Sequence, residues 1–314
     1  MRKAATDAIY ELAKTDPRIV FIGSDLGAGT MDKFRKEMPD RFFMEGVSEQ
    51  NIIGMAAGLA MDGFIPYVNT IATFLTRRCY EQVAVDLCLH NLPVRLIATG
   101  GGVVYAPLGP THLAIEDLAI MRALPNMTVT APTDAPEARR LVMSTVDLPG
   151  PLYVRIAKGG DPVVSRDEDG FQLGKAILLR QPKDVLFVGI GVTVNRCLAA
   201  AEQLAAQGIG AGVLNMHTLK PLDEAGLLAA AKGVRAIVTV EEHTLMGGLG
   251  SAVGDVLLRR MGRTPPDLVT LGIPDVFPEK YGSQDALMKH FGLQPTQIAE
   301  AAVRVLSAPV GAAA

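Results

Sequence analysis

The strongest constraint on this chain is a repeated alternation of short apolar runs with helix-patterned segments. Residues 18–23, 65–70, 92–98, 127–130 and 152–156 read as buried strands. Helical spacing or helix-opening residues mark the segments around 2–14, 49–60, 73–89, 115–119 and 134–144. Strands that alternate with helices in this way build a parallel sheet covered on both faces. A polar, turn-rich stretch over 158–170 interrupts the pattern. It then resumes, with strands over 184–191, 210–216 and 236–243. The expected fold is α/β, with two domains that are each a mainly parallel sheet flanked by helices. The expected divisions are 1–160, a linker at 161–173, and 174–314.

The 314 residues suffice for two ordinary domains. A formal net charge of −3 and the absence of Trp argue against a nucleic-acid footprint or a basic membrane patch. The three cysteines, Cys79, Cys88 and Cys197, form no CxxC pair. They read as reduced core residues of a cytoplasmic protein. No apolar run is long enough to cross a membrane, and no secretory leader is legible.

Glu49 opens a nearly uncharged helix rich in small residues, among them Gly54, Ala56, Ala57 and Gly58. An acid there has a structural reading, since it complements the helix dipole. It has a functional reading too, and the local pattern leaves both open. The loop over 24–30 follows a strand, where open α/β sheets hold ligands. His112 lies in a long Gly/Pro-rich loop after the strand at 92–98, outside any amphipathic stripe. The turn at 247–251 could cradle an anion at a helix N-terminus, but it lacks the P-loop Lys, and close packing explains its glycines. Glu241, Glu242 and His243 are consecutive, so on a strand they face alternate sides and cannot ligate one metal. No metal site is expected from this chain alone.

Taken in order, Gly23-Ser24-Asp25-Leu26, Gly46-Val47-Ser48-Glu49-Gln50-Asn51, Thr73-Phe74-Leu75, Gly109-Pro110-Thr111-His112, Leu124-Pro125-Asn126-Met127 and Glu241-Glu242-His243 carry a resemblance. The set resembles the C-terminal half of transketolases, a pyrimidine-binding domain followed by the transketolase C-terminal domain. It is similar to 1-deoxyxylulose-5-phosphate synthases and to the β subunits of 2-oxoacid dehydrogenase E1 components as well. The resemblance implies thiamine diphosphate and transfer of a two-carbon ketol unit between sugars. It implies that Glu49 hydrogen-bonds the aminopyrimidine N1′. That role needs a carboxyl able to carry a proton, which apolar surroundings favour. Phe74 and Tyr80 match aromatics around the pyrimidine. Arg77, at the intervening cofactor-binding position, looks more like the deoxyxylulose-phosphate synthase pattern than the transketolase aromatic. Asp25 and Leu26 resemble residues near the thiazolium end. His112 resembles the histidine that contacts the sugar donor.

The chain departs from the transketolase pattern in three places. Leu108 stands where transketolases carry a hydroxyl-binding acid, and Gly100 about where they carry a second histidine. Lys158 stands roughly where an arginine grips the sugar phosphate, and it gives a point charge rather than a planar fork. The resemblance implies sugar phosphates, and those differences point to a modified donor or acceptor: deoxygenated, branched or differently charged. No Gly-Asp-Gly occurs, so the family's diphosphate and Mg2+ motif is missing. A separate N-terminal-half subunit carrying that motif is therefore expected, with Mg2+ held by the partner and a dimeric or heterotetrameric assembly. An E1 β subunit, a deoxyxylulose-phosphate synthase-like enzyme and a non-catalytic scaffold are the alternatives.

Overall fold

The computed structural model describes residues 1–24, 29–261 and 265–308. Its first half runs α1 (Arg2–Thr15), β1 (Ile19–Gly23), α2 (Asp32–Glu37), β2 (Phe42–Met44), α3 (Glu49–Met61), β3 (Ile65–Ile71), α4 (Ala72–Leu75), α5 (Tyr80–Gln82), β4 (Arg95–Thr99), α6 (Asp117–Ala123), β5 (Thr128–Thr130), α7 (Ala135–Met143) and β6 (Leu152–Ile156). The second half runs β7 (Ile177–Arg180), β8 (Val185–Gly189), α8 (Thr193–Ala205), β9 (Ala211–Asn215), β10 (Thr218–Lys220), α9 (Glu224–Ala230), β11 (Ala236–Thr244), α10 (Leu249–Arg260), β12 (Asp267–Ile273), α11 (Gln284–His290) and α12 (Pro295–Ser307).

Two sheets result, ordered β10-β5-β6-β4-β3-β1-β2 and β12-β11-β8-β9-β7. Among the described strands, only β10 and β7 pair antiparallel. Strands β1, β4, β6 and β8 are buried along their whole length, as parallel strands covered on both faces must be. The covering helices present narrow apolar stripes. In α1 these are Ala5, Ala8, Ile9, Leu12 and Ala13, each large aliphatic member stabilising by roughly 1.5–3 kcal/mol when fully buried. The start of α7 is set by Asp134, whose carboxylate accepts the Glu137 N–H, with Pro136 in the first turn.

Two features depart from the expected pattern. Strand β10 belongs to the second half of the chain yet closes one edge of the first sheet. A continuous apolar core also runs from Ile52 and Ile53 through Leu118 to Leu186, Val188 and Leu249, so the halves are packed together. The single helix expected over 73–89 is broken. It consists of α4, a turn, α5 and then a π-helix over Val83–Leu89. The Thr76 hydroxyl takes the Ala72 carbonyl at 2.8 Å, and the Thr76 backbone (φ −103, ψ −87) leaves the helical path. The break matters because residues 74–78 then lie beside the carboxyl ends of β1, β3 and β4. These parallel strands all point the same way, so Ser24, α4 and the loop over 100–116 emerge at the carboxyl end of the sheet, where open α/β folds place their sites.

Candidate active site

Glu49, the first residue of α3, is 2% exposed. Its Oε1 lies 3.2 Å from the Ser24 hydroxyl, which is itself 2.8 Å from Thr70 Oγ1. Ser24 has one proton to give. When it donates to Glu49, the Thr70 hydroxyl donates to Ser24, so the ends of β1 and β3 together hold the carboxylate. The other oxygen, Oε2, accepts a hydrogen bond from Arg78 Nη1 at 2.7 Å. The uncharged sequence around Glu49 implies apolar surroundings. The structure instead places a guanidinium and a hydroxyl on the carboxylate, because the break after α4 swings Arg78 over the start of α3.

The Arg78 guanidinium also lies 3.9 Å from the Phe74 ring centroid. The Phe74 ring meets His112 edge-on, with centroids 5.3 Å apart. His112 is half-buried, and its Nδ1 is 2.9 Å from Thr111 Oγ1. Glu49, Phe74 and His112 therefore form one contiguous set, joined by Arg78. Sequence reasoning missed Arg78. Its one signal is its place immediately after Arg77.

Arg77 points elsewhere. Its guanidinium pairs with Glu116 at 2.9 Å and donates to the carbonyls of Leu113 at 2.9 Å and of Pro110 and Thr111 at 3.4 Å. It braces the loop carrying His112. Tyr80 is half-buried, and its hydroxyl donates to the Ile120 carbonyl of α6 at 2.9 Å. Lys158 is exposed just beyond β6, without a hydrogen bond or ion pair among the described residues. Asp25 and Leu26 lie outside the described residues.

The turn at 247–251 is already filled. Glu241 accepts the Leu249 and Gly250 N–H groups at 2.7 and 2.8 Å, so the chain's own carboxylate occupies the N-terminus of α10. His243 accepts the Ala119 N–H at Nε2. Among the described residues no cluster of three or more His, Cys, Asp or Glu could hold a metal. No helix among them is long and apolar enough to cross a membrane.

The Glu49–Phe74 pair suits a flat, nitrogen-bearing ring. The Arg78 guanidinium already makes the two contacts required, stacking on the aromatic face and donating N–H to the buried carboxylate. The chain matches two family models, the transketolase pyrimidine-binding domain over residues 1–160 and the transketolase C-terminal domain over 174–298. It is 39% identical over 306 residues to the 6-deoxy-6-sulfo-D-fructose transketolase subunit SqwH of Clostridium sp., covering 97% of this chain and 94% of that protein. It is 37% identical over 304 residues to an apulose-4-phosphate transketolase subunit of Phocaeicola vulgatus, with 96% of each covered. A solved structure described as a split gene transketolase, inactive β4 tetramer, superposes with a TM-score of 0.90 at 39% identity and 98% coverage of both chains. The chain belongs to the transketolase family and is a C-terminal-half subunit of a split, thiamine diphosphate-dependent transketolase-type enzyme.

Proposed function

We propose that this chain supplies the pyrimidine-side half of a thiamine diphosphate site, and that a separate N-terminal-half subunit with a Gly-Asp-Gly motif holds the diphosphate and Mg2+. The carrying observation is the buried Glu49 carboxylate at the carboxyl ends of β1 and β3, joined through Arg78 to Phe74 and His112. When bound, the cofactor supplies the carbanion chemistry that breaks and remakes a carbon–carbon bond beside a carbonyl. Glu49 would hold the cofactor's ring by its aminopyrimidine nitrogen in place of Arg78 and could give or take a proton at its carboxyl there, with burial keeping water from competing. Phe74 and Tyr80 would pack against the ring, and Arg77 holds the loop that carries His112. For Asp25 and Leu26, which lie outside the described residues, the family resemblance alone supports a role toward the thiazolium end.

The reaction is transfer of a two-carbon ketol unit from a ketose to an aldose. The Thr111 hydroxyl fixes the His112 ring through Nδ1, leaving Nε2 for an oxygen of the donor sugar. Lys158 offers a point charge to an anionic group on the substrate. Leu108, half exposed in the same loop, replaces a hydroxyl-binding acid with an apolar surface. That change favours a sugar phosphate or a modified sugar lacking a hydroxyl. Two relatives named for 6-deoxy-6-sulfo-D-fructose and apulose 4-phosphate support this reading.

The α3 face bearing Gly54, Gly58 and Met61 is exposed. A Cβ at either glycine would meet nothing within 4 Å. We read it as the face where subunits close a twofold heterotetramer in the cytoplasm, with pyrimidine-binding domain 1–160, linker 161–173 and C-terminal domain 174–314. Assaying this chain alone and with its partner, with thiamine diphosphate and Mg2+, tests the split site. Turnover is expected only in the mixture. Full turnover by the chain alone would overturn it.

A further inference from the structure

The loop over 100–116 carries His112, and each of its stems is hydrogen-bonded to β11 of the C-terminal sheet. On the ascending stem, the Val103 N–H donates to Glu242 Oε1 at 2.8 Å. The same oxygen accepts Gln284 Nε2 at 2.9 Å. On the descending stem, Arg155 Nη2 reaches the Ala114 carbonyl at 3.1 Å and the Glu242 carbonyl at 2.6 Å. The Thr244 N–H donates to the Ile115 carbonyl at 2.7 Å. Gly102 and Ala114 bridge the two stems. The packing leaves no slack. A Cβ on Gly102 would lie 2.4 Å from Glu242 Cδ, and one on Gly101 would lie 2.3 Å from Arg155 Cγ.

Glu242 is 3% exposed and stands at the end of β11, far along the chain from the loop. A buried carboxylate is costly without partners. Here its partners are the Val103 N–H and the Gln284 amide, with Arg155 bonded to its own carbonyl. The apolar core needs no such group at this place, but a loop without regular structure does, because its backbone donors are otherwise unsatisfied.

We propose that Glu242 is a positioning residue for the transfer reaction: it pins the loop carrying His112 from the C-terminal domain, so that this domain sets the placement of the sugar-facing histidine. The step from pinned loop to sugar contact rests on the reading of His112 given above. The pinning itself does not.

Amide hydrogen exchange on the full chain tests the pinning. Glu242→Ala should speed exchange over 103–115 about tenfold, the loss expected for a hydrogen bond to a charged group. Strand β8 should keep its protection. Glu242→Gln, which retains an acceptor for the Val103 N–H, should restore most of the protection in the loop. Unchanged exchange over 103–115, or an equal rise throughout β8, would overturn the proposal.

The link to function is read in the assembled enzyme with hydroxypyruvate, a donor that has only the ketol carbonyl, its hydroxyl and a carboxylate. Glu242→Ala should raise KM for hydroxypyruvate while thiamine diphosphate affinity stays the same, and it should have no further effect in a His112→Ala background. If His112→Ala moves KM and Glu242→Ala does not, the positioning role falls. If neither moves KM, the sugar-contact reading of His112 falls and the pinning is judged by exchange alone.

Discussion

Arg78 Nη1 lies 2.7 Å from Glu49 Oε2, and the same guanidinium stacks 3.9 Å from the Phe74 ring centroid. The carboxylate is buried, whereas the arginine is 41% exposed. Solvent therefore screens one side of the pair, and its loss costs less than that of a fully buried one. Arg78→Met keeps an apolar stem over Phe74 but leaves Glu49 without its cation. The free chain should lose about 1–2 kcal/mol of stability. Denaturant titration at neutral pH measures this, and an unchanged midpoint would show that Ser24 alone suffices for Glu49.

Arg77 separates two accounts of this segment. The sequence pattern assigns it to the cofactor, while the structure has it holding the carbonyls of Pro110, Thr111 and Leu113. Arg77→Met in the assembled enzyme should raise KM for the sugar donor about tenfold with little change in thiamine diphosphate affinity. A selective loss of cofactor affinity would favour the sequence-based assignment.

Stability should depend on pH through Glu137. This carboxyl bridges the halves of the chain, accepting from Thr133 N–H at 2.6 Å and Asn215 Nδ2 at 2.8 Å. Burial pushes its pKa from 4.5 up to about 7. A raised pKa means that the folded state binds the proton more tightly. The contribution is therefore complete below pH 4.5 and is lost as the pH rises to about 7, on the order of 3 kcal/mol over the window. His217, whose burial lowers its pKa from 6.5 to about 4, acts in the opposite sense. The informative quantity is thus the difference between wild type and variant. In Glu137→Gln the new oxygen keeps the Thr133 N–H, and the new N–H2 meets Asn215, whose amide must turn over so that its oxygen, now buried without a partner, accepts. The variant should match wild type in acid and be more stable at pH 8. Equal stability at both would remove Glu137 from the account.

Gly58 tests the exposed α3 face. A Cβ there meets nothing within 4 Å in the chain, the position is exposed, and replacement by Leu raises helix propensity by about 0.5–1 kcal/mol. Gly58→Leu should fold at least as well as wild type yet fail to assemble with the partner subunit, as sedimentation would show. Normal assembly would place the interface elsewhere.

Much of the fold was legible because parallel strands buried on both faces are continuously apolar, as in residues 19–23 and 185–189. The pairing of β10 with the first sheet was not, because three residues give no periodicity to read. Glu49 was legible once ordered motifs were joined across the chain. Arg78 was not, because the break at Thr76, where the backbone leaves the helical path, decides which of two adjacent arginines faces the carboxylate, and local helical spacing carries no mark of it. The use of Glu241 and Glu242 was equally hidden. Consecutive carboxylates on a strand point to opposite faces, and here one caps α10 while the other meets the His112 loop.

Glu49 is proposed to activate the cofactor as its acid–base partner. The direct measurement is the rate at which the C2 proton of bound thiamine diphosphate exchanges for deuterium in the assembled enzyme, wild type against Glu49→Gln. It needs no knowledge of the sugar. The account predicts a fall of about 10²–10⁴-fold in the variant, the usual span for loss of a positioned acid–base group, with the cofactor still bound. An unchanged exchange rate with the cofactor bound would contradict it.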